Sequence, residues 1–162
     1  MTTNLVMSEE DEASDKLSRQ AFAFFLHMMI GLGTWVVLML IGYAIQPRVP
    51  QLFILALSLI VPAAVGFLYL RARPEPMAGH VWLAGLIWLM IVSLWILDMP
   101  TGPNACNECS ATEKLSRTLF SLPRPSGLID DNGPFLCTWP AAALAGYSIG
   151  ARLAMRRKKS EE

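Results

Sequence analysis

The sequence contains few charged residues, and they lie outside several long apolar runs. Only 16% of the 162 residues are charged, against 54% that are hydrophobic, and no Asp, Glu, Lys or Arg occurs between Arg19 and Arg48. Runs of this kind are typical of membrane-spanning helices. A formal net charge of zero gives no electrostatic basis for binding nucleic acid. We therefore expect an integral membrane protein whose partners are the lipid bilayer and other membrane subunits.

Several sequence motifs are missing, and this reduces the number of chemical functions that the chain could have. Three cysteines are too few for a disulfide-rich secreted scaffold. The sequence has no Gly-rich phosphate loop, no His-Glu-x-x-His or Gly-x-Ser-x-Gly motif, and no pair of carboxylates inside an apolar run. These absences disfavour nucleotide-binding, hydrolase and ion-transport sites.

Four apolar segments predict an all-α membrane protein, with four transmembrane helices in an up-and-down bundle. The predicted spans cover about residues 21–45, 51–70, 79–97 and 135–154. The two prolines of Gln46–Pro50 predict a tight connection, so the first two spans are antiparallel neighbours. Pro62 is expected to kink the second span.

The charged ends and loops predict the orientation. Residues 1–20 form an acidic tail that we expect to be solvated and partly disordered, and residues 156–162 form a second charged tail. A secretory signal would start with a basic region, so the first segment is not one. Nine Lys and Arg lie on the side of the two tails, against four on the other side. Both termini are therefore predicted to be cytoplasmic at the plasma (inner) membrane, with loop 98–134 outside.

Small and aromatic residues predict which helix faces pack. Ala142, Gly146 and Gly150 recur every four residues, which lets two membrane helices approach closely. Gly85, Trp88 and Trp95 share one face of the third span, where tryptophan favours helix packing or anchoring at the membrane interface.

The long loop carries its own helix signals. Ser110 and Glu113 form a capping box, in which each side chain bonds a free backbone N–H of the other residue. Leu115 and Leu119 follow on one side, and Pro123 stops the pattern. These residues predict a short amphipathic helix on the outer membrane surface.

Cys106 and Cys109 lie directly before this helix, outside the cytoplasm, where a neighbouring pair of cysteines tends to form a disulfide. A structural disulfide is favoured. A redox site is the alternative, because a helix N-terminus stabilises a thiolate, and Cys137 would be its resolving thiol. Metal binding is less favoured, since four ligands would require Cys137 and a carboxylate such as Asp130.

Four spans with an outer cysteine pair resemble the bacterial membrane oxidases that pass electrons from protein thiols to quinone. That resemblance implies quinone as a cofactor. The family carries its first Cys-x-x-Cys in the first outer loop, where this chain has no cysteine. The vitamin K epoxide reductases carry their pair within a span, unlike Cys106 and Cys109. The chain is therefore assigned to neither family.

His27 and His80 lie towards the cytoplasmic ends of the first and third spans. An ionisable residue within a membrane span suggests a function. A histidine pair can ligate haem iron, and each imidazole can ligate the magnesium of a chlorophyll-type pigment. A hydrogen-bonded histidine near the interface is the simpler interpretation, so no cofactor is predicted.

The sequence thus favours a non-catalytic accessory or assembly subunit of a larger membrane complex, of respiratory or photosynthetic type. The first alternative is an extracytoplasmic thiol–disulfide oxidoreductase coupled to quinone, with Cys106, Cys109 and Cys137 as its reactive residues. The second is a haem- or pigment-binding membrane subunit that uses His27 and His80.

Overall fold

The computed structural model describes residues 2–45, 51–98, 110–120 and 138–161, and the structural statements below concern this part of the chain. Almost all of these residues are helical, and none of them forms a strand. The elements are α1 (Thr2–Ile45), α2 (Gln51–Ala72), a 3-10 helix (Pro76–His80), α3 (Trp82–Asp98), α4 (Ala111–Phe120) and α5 (Thr138–Glu161).

Three of these helical segments are long and apolar enough to cross a membrane. They are Glu12–Ile41, Leu55–Ala72 and Pro76–Trp95. The prediction of an all-helical membrane protein is confirmed to this extent. The predicted fourth span corresponds to α5, which does not meet the same criterion over its described residues, and the first residues of that span lie outside the described ranges. That the chain has four spans, and how these spans are oriented, remain predictions.

α1 is a single helix of 44 residues that includes the acidic segment. The structure differs here from the expected partly disordered tail, because the helix begins at Thr2. Charges spaced one helical turn apart support it: Arg19 Nη2 lies 3.3 Å from Asp15 Oδ2, and both side chains are exposed. Such exposed pairs each stabilise a helix by only about 0.3–0.5 kcal/mol.

α5 is the helix that packs against α1, α2 and α3 together, with its most extensive contact on α2. Ala143, Tyr147 and Ala151 are completely buried along it. A central helix has room for few large side chains, since its neighbours approach from several directions. α5 accordingly carries many alanines and glycines, and together with its basic C-terminal end they give it a lower hydropathy than α1, α2 and α3.

α1 and α5 run antiparallel. His27 of α1 contacts Tyr147, and Trp35, two turns later, packs with Trp139 and Ala143. Along this contact, the residue numbers increase in α1 while they decrease in α5. The N-terminal part of α1 therefore lies at the same end of the bundle as the C-terminal part of α5.

α4 matches the short helix that the loop sequence predicts. The backbone N–H of Glu113 lies 3.4 Å from Ser110 Oγ, and it also donates to the Ser110 carbonyl oxygen at 3.0 Å. Ser110 thus caps the helix as the capping box predicts. The placement of α4 on an outer membrane surface remains a prediction.

Candidate functional site at the centre of the bundle

The most polar part of the bundle interior is built around His27. Its Nδ1 atom lies 2.8 Å from the hydroxyl oxygen of Tyr147, a hydrogen bond in which the donor depends on the histidine tautomer. The ring of Tyr69 meets the imidazole edge-on, with 5.6 Å between the ring centroids. His27 is only 3% exposed and Tyr147 is fully buried. Side chains from α1, α2 and α5 therefore meet at one point.

Two further polar contacts join α5 to the connection between α2 and α3. The hydroxyl oxygen of Ser148 accepts a hydrogen bond of 2.8 Å from the backbone N–H of Trp82, the first residue of α3. Arg152 Nε donates to the carbonyl oxygen of Gly79 at 2.9 Å. The first N–H groups of a helix lack partners within the helix, so Ser148 supplies one from the neighbouring helix. From the sequence alone, these two residues are only a serine and an arginine within an Ala-rich helix, with no indication of their partners.

Close backbone contact between α2 and α5 depends on three glycines. A Cβ atom on Gly146 would lie against the carbonyl group of Leu59, 2.9 Å from its carbon. One on Gly150 would lie 2.7 Å from the carbonyl carbon of Ala63. On α2, Gly66 faces the Tyr147 backbone in the same way. Real side chains do not occupy such spaces, so these positions require glycine as long as the helices stay this close.

The other predicted packing residues lie in different surroundings. Ala142 is half-buried, between completely or largely buried neighbours on α5. Gly85 faces Ala141, whose carbonyl oxygen is 3.2 Å from where a Cβ would be. Trp88 and Trp95 are more exposed, at 43% and 51%. Gly85 thus packs against α5, and a packing role for the two tryptophans remains a prediction.

The two histidines of the predicted cofactor pair have different environments. His27 is enclosed, and its imidazole already has Tyr69 and Tyr147 as neighbours. His80 is exposed at the end of the 3-10 helix, with its Nδ1 atom 3.3 Å from the carbonyl oxygen of Pro76. Tyr147 occupies the Nδ1 atom of His27, so a haem or pigment would have to be ligated through Nε2. Cofactor binding by these residues remains a prediction.

Cys106, Cys109 and Cys137 lie outside the described residues, so the predicted disulfide and its redox alternative stay predictions. Among the described side chains, no group of three or more His, Cys, Asp or Glu is placed to hold a metal ion. The structure does show that a capped helix begins at Ala111, two residues after Cys109.

An open apolar groove lies on the outside of the bundle, between α1 and α2. It has a volume of about 320 Å³. Its lining is formed by Gly33, Thr34, Val37, Leu38, Ile41 and Val61. A Cβ atom on Gly33 would meet nothing within 4 Å. Among the seven glycines whose surroundings the structure describes, Gly33 is the one without a packed neighbour.

Comparison with protein-family models, with curated proteins and with solved structures finds no match to this chain.

Proposed function

We propose that the chain is a non-catalytic accessory or assembly subunit of a larger membrane complex, of respiratory or photosynthetic type. The observation that carries the proposal is how the polar groups inside the bundle are used. His27 bonds Tyr147, Ser148 bonds the start of α3, and Arg152 bonds the connection before it. Each of these contacts joins one helix to another, which is what a packing subunit requires.

The outward surfaces support the same proposal. The exposed side chains of α3 include Trp88 and Trp95, seven residues apart, with Ile91 and Leu94 between them. Seven residues are nearly two helical turns, so the two tryptophans lie on the same side of the helix. Exposed tryptophans are enriched at the centres of protein interfaces. We therefore assign this face of α3 to contact with another membrane subunit.

Purification of the tagged full-length chain from its own membrane in a mild detergent tests the proposal. We expect other membrane proteins to co-purify in fixed stoichiometry. The double variant Trp88→Ala/Trp95→Ala should lose them while keeping its thermal unfolding midpoint. Phe53→Ala/Leu68→Ala, which truncates two exposed residues of α2, is the matched control and should keep them.

Two results would contradict the proposal. One is a chain that purifies alone in every mild detergent. The other is a loss of partners that is the same for the α3 variant and the α2 control. An absorption spectrum of the same preparation tests the haem or pigment alternative, since a bound cofactor would absorb in the visible range.

The second candidate is the extracytoplasmic thiol–disulfide oxidoreductase. The capped start of α4 favours it, because helix N-terminal N–H groups stabilise a nearby thiolate and Ser110 directly follows Cys109. For a catalyst, Cys106→Ser or Cys109→Ser should trap a mixed disulfide with an outer-face protein. For a structural disulfide, neither variant should trap one, and the loop alone should become less ordered. A reproducible mixed disulfide would replace the subunit proposal with the oxidoreductase.

A further inference from the structure

α5 has one face that none of the other described helices covers. The helix packs against α1, α2 and α3, which enclose it on three sides. On the fourth side, Ile149 and Leu153 are 51% and 52% exposed, and Arg152 and Arg156 are exposed as well. Ile149 and Arg156 lie nearly opposite Tyr147, the residue that contacts α1, since each residue turns a helix by about 100°. We call these four residues the open face of α5.

The open face changes from apolar to basic along the helix. Arg152 lies three residues beyond Ile149, and Arg156 lies three residues beyond Leu153. Side chains at this spacing are neighbours on a helix surface. The open face is therefore an apolar strip that ends in two arginines, at the end of the bundle where α1 begins and α5 ends.

α2 brings a third arginine to the same level of the bundle. Leu70 shares a buried cluster with Ala151 and Ala154 of α5, so these residues lie at similar heights. The exposed Arg71 directly follows Leu70. Along the axis of α5, Arg152 and Arg156 both lie within about 8 Å of Ala151. The three arginines therefore occupy one narrow layer at this end of the bundle.

Arg71 also lies on the same side of the bundle as the open face. Tyr69 of α2 meets His27 of α1, and Arg71 is two residues later, which is about 200° around the helix. Arg71 therefore lies on the side of α2 that is turned away from α1. The open face of α5 is likewise opposite to the contact with α1.

Among the described side chains, these arginines have no acidic partner. The ion pair formed there joins Asp15 to Arg19 on α1, and none involves Arg71, Arg152 or Arg156. Arg152 donates through Nε to the carbonyl oxygen of Gly79 at 2.9 Å. This bond holds the side chain of Arg152 in place and leaves the two terminal nitrogens of its guanidinium group for another acceptor. The site thus lacks an anion that the described part of the chain does not supply.

We propose that an anionic phospholipid binds on the open face of α5. Its phosphate group accepts hydrogen bonds from Arg152 and Arg156, with Arg71 beside it, because the fork of donors on arginine matches a phosphate group. One acyl chain lies along Ile149 and Leu153, so the apolar strip favours a lipid over a free phosphate. The site goes beyond the proposed subunit function, since it requires no protein partner.

The predicted orientation is consistent with this ligand. The count of Lys and Arg predicts that the end of the bundle with the three arginines lies on the cytoplasmic side. Anionic lipids give the cytoplasmic leaflet a negative surface potential, which attracts basic residues next to a span.

Thermal unfolding of the purified full-length chain in a neutral detergent tests the site. Dioleoyl phosphatidylglycerol is titrated into the micelles and compared with dioleoyl phosphatidylcholine, which has the same acyl chains and a headgroup without net charge. A ligand that binds the folded chain raises its unfolding midpoint. We expect phosphatidylglycerol to raise the midpoint until the site is saturated and phosphatidylcholine to raise it less. High salt should weaken the binding of phosphatidylglycerol.

Two variants test the arginines of the open face. Arg156→Gln removes an arginine that has no bond to the described part of the chain, so it changes the site without removing a contact of the fold. Arg152→Gln/Arg156→Gln removes both arginines and also the bond to Gly79. We expect the affinity for phosphatidylglycerol to fall on the order of tenfold in the double variant and by a smaller factor in Arg156→Gln.

Arg19→Gln is the matched control, because it makes the same change of charge at a similar height on another helix. Arg19 lies about 12 Å beyond His27 on α1, and Arg156 lies about 14 Å beyond Tyr147 on α5. His27 and Tyr147 are in contact, so they mark the same level. Arg19→Gln should leave the affinity for phosphatidylglycerol unchanged.

Four results would overturn the proposal. Equal stabilisation by the two phospholipids would show that no anionic headgroup is recognised. Equal losses of affinity in Arg156→Gln and Arg19→Gln would show attraction to the total charge of this end of the bundle only. Stabilisation by glycerol phosphate as strong as that by phosphatidylglycerol would make this a phosphate site without a lipid chain. Release of a co-purifying protein by Arg156→Gln, with unchanged affinity for phosphatidylglycerol, would assign the open face to a protein partner.

Discussion

Buried hydroxyl groups in this bundle differ in whether they have a partner. Ser148 accepts the first N–H of α3, whereas Ser58 is completely buried on α2 and its hydroxyl has no hydrogen-bond partner among the described residues. A buried polar group that has lost its partner costs about 1–3 kcal/mol, whereas removal of an unpaired one costs little. The two serines should therefore respond to the same substitution in opposite ways.

We predict that Ser148→Ala lowers the free energy of unfolding by about 1–3 kcal/mol, because it leaves the Trp82 N–H without its acceptor. Ser58→Ala should be neutral or stabilising by up to about 1 kcal/mol. Thermal unfolding of the purified chain in detergent measures both. An equal loss for the two variants would mean that the Ser148 bond adds nothing to stability.

Among single residues, the sequence identified His27 as a polar residue within a predicted span. His27 does lie at the polar centre of the bundle. Its partner Tyr147 lies 120 residues further along the chain. A pattern along one helix does not tell which residue of another helix it meets. For that reason Tyr69, Tyr147, Ser148 and Arg152 were not predicted as members of the same cluster.

The contact between α2 and α5 is the element-scale feature on which the bundle depends. Gly66, Gly146 and Gly150 let the two backbones approach more closely than any side chain allows. A substitution must therefore push the helices apart, with loss of contacts along both.

We predict that Gly146→Ala destabilises the chain by about 1–3 kcal/mol through this overpacking. Gly33→Ala is the matched control, because a Cβ there meets nothing within 4 Å. It should be neutral or slightly stabilising, since alanine restricts the unfolded chain. Equal unfolding midpoints for Gly146→Ala and the unchanged chain would show that α2 and α5 are not in close contact.

Local signals predicted some elements well and others poorly. The capping residues around Ser110 act over one helical turn, so they predicted α4 and its start. The acidic run of α1 suggested disorder, but the helix begins at Thr2, and Asp15 pairs with Arg19 one turn further along. The positions of Gly146 and Gly150 showed a surface for close packing, and only the tertiary structure shows that α2 lies against it.

At the scale of the whole molecule, composition sufficed for the class of protein. Long runs without charge predicted membrane helices, and three helices of sufficient length and apolarity are present. The sequence did not predict that the least apolar of the long helices, α5, lies at the centre. A helix enclosed by other helices needs small residues more than large apolar ones. Its mean hydropathy is therefore a poor guide to how deeply it is buried.

We predict that α5 crosses the membrane inside the bundle, and the Lys and Arg distribution predicts that both ends of the chain lie on the cytoplasmic side and α4 on the other. The most direct test is labelling of single cysteines with an impermeant maleimide, after the three native cysteines are replaced by serine. Ser110→Cys lies at the start of α4, and Ser160→Cys lies beyond the basic end of α5. We predict that Ser110→Cys is labelled in intact cells and that Ser160→Cys is labelled only after the cells are opened. Labelling of both positions from the same side would show that α5 does not cross the membrane.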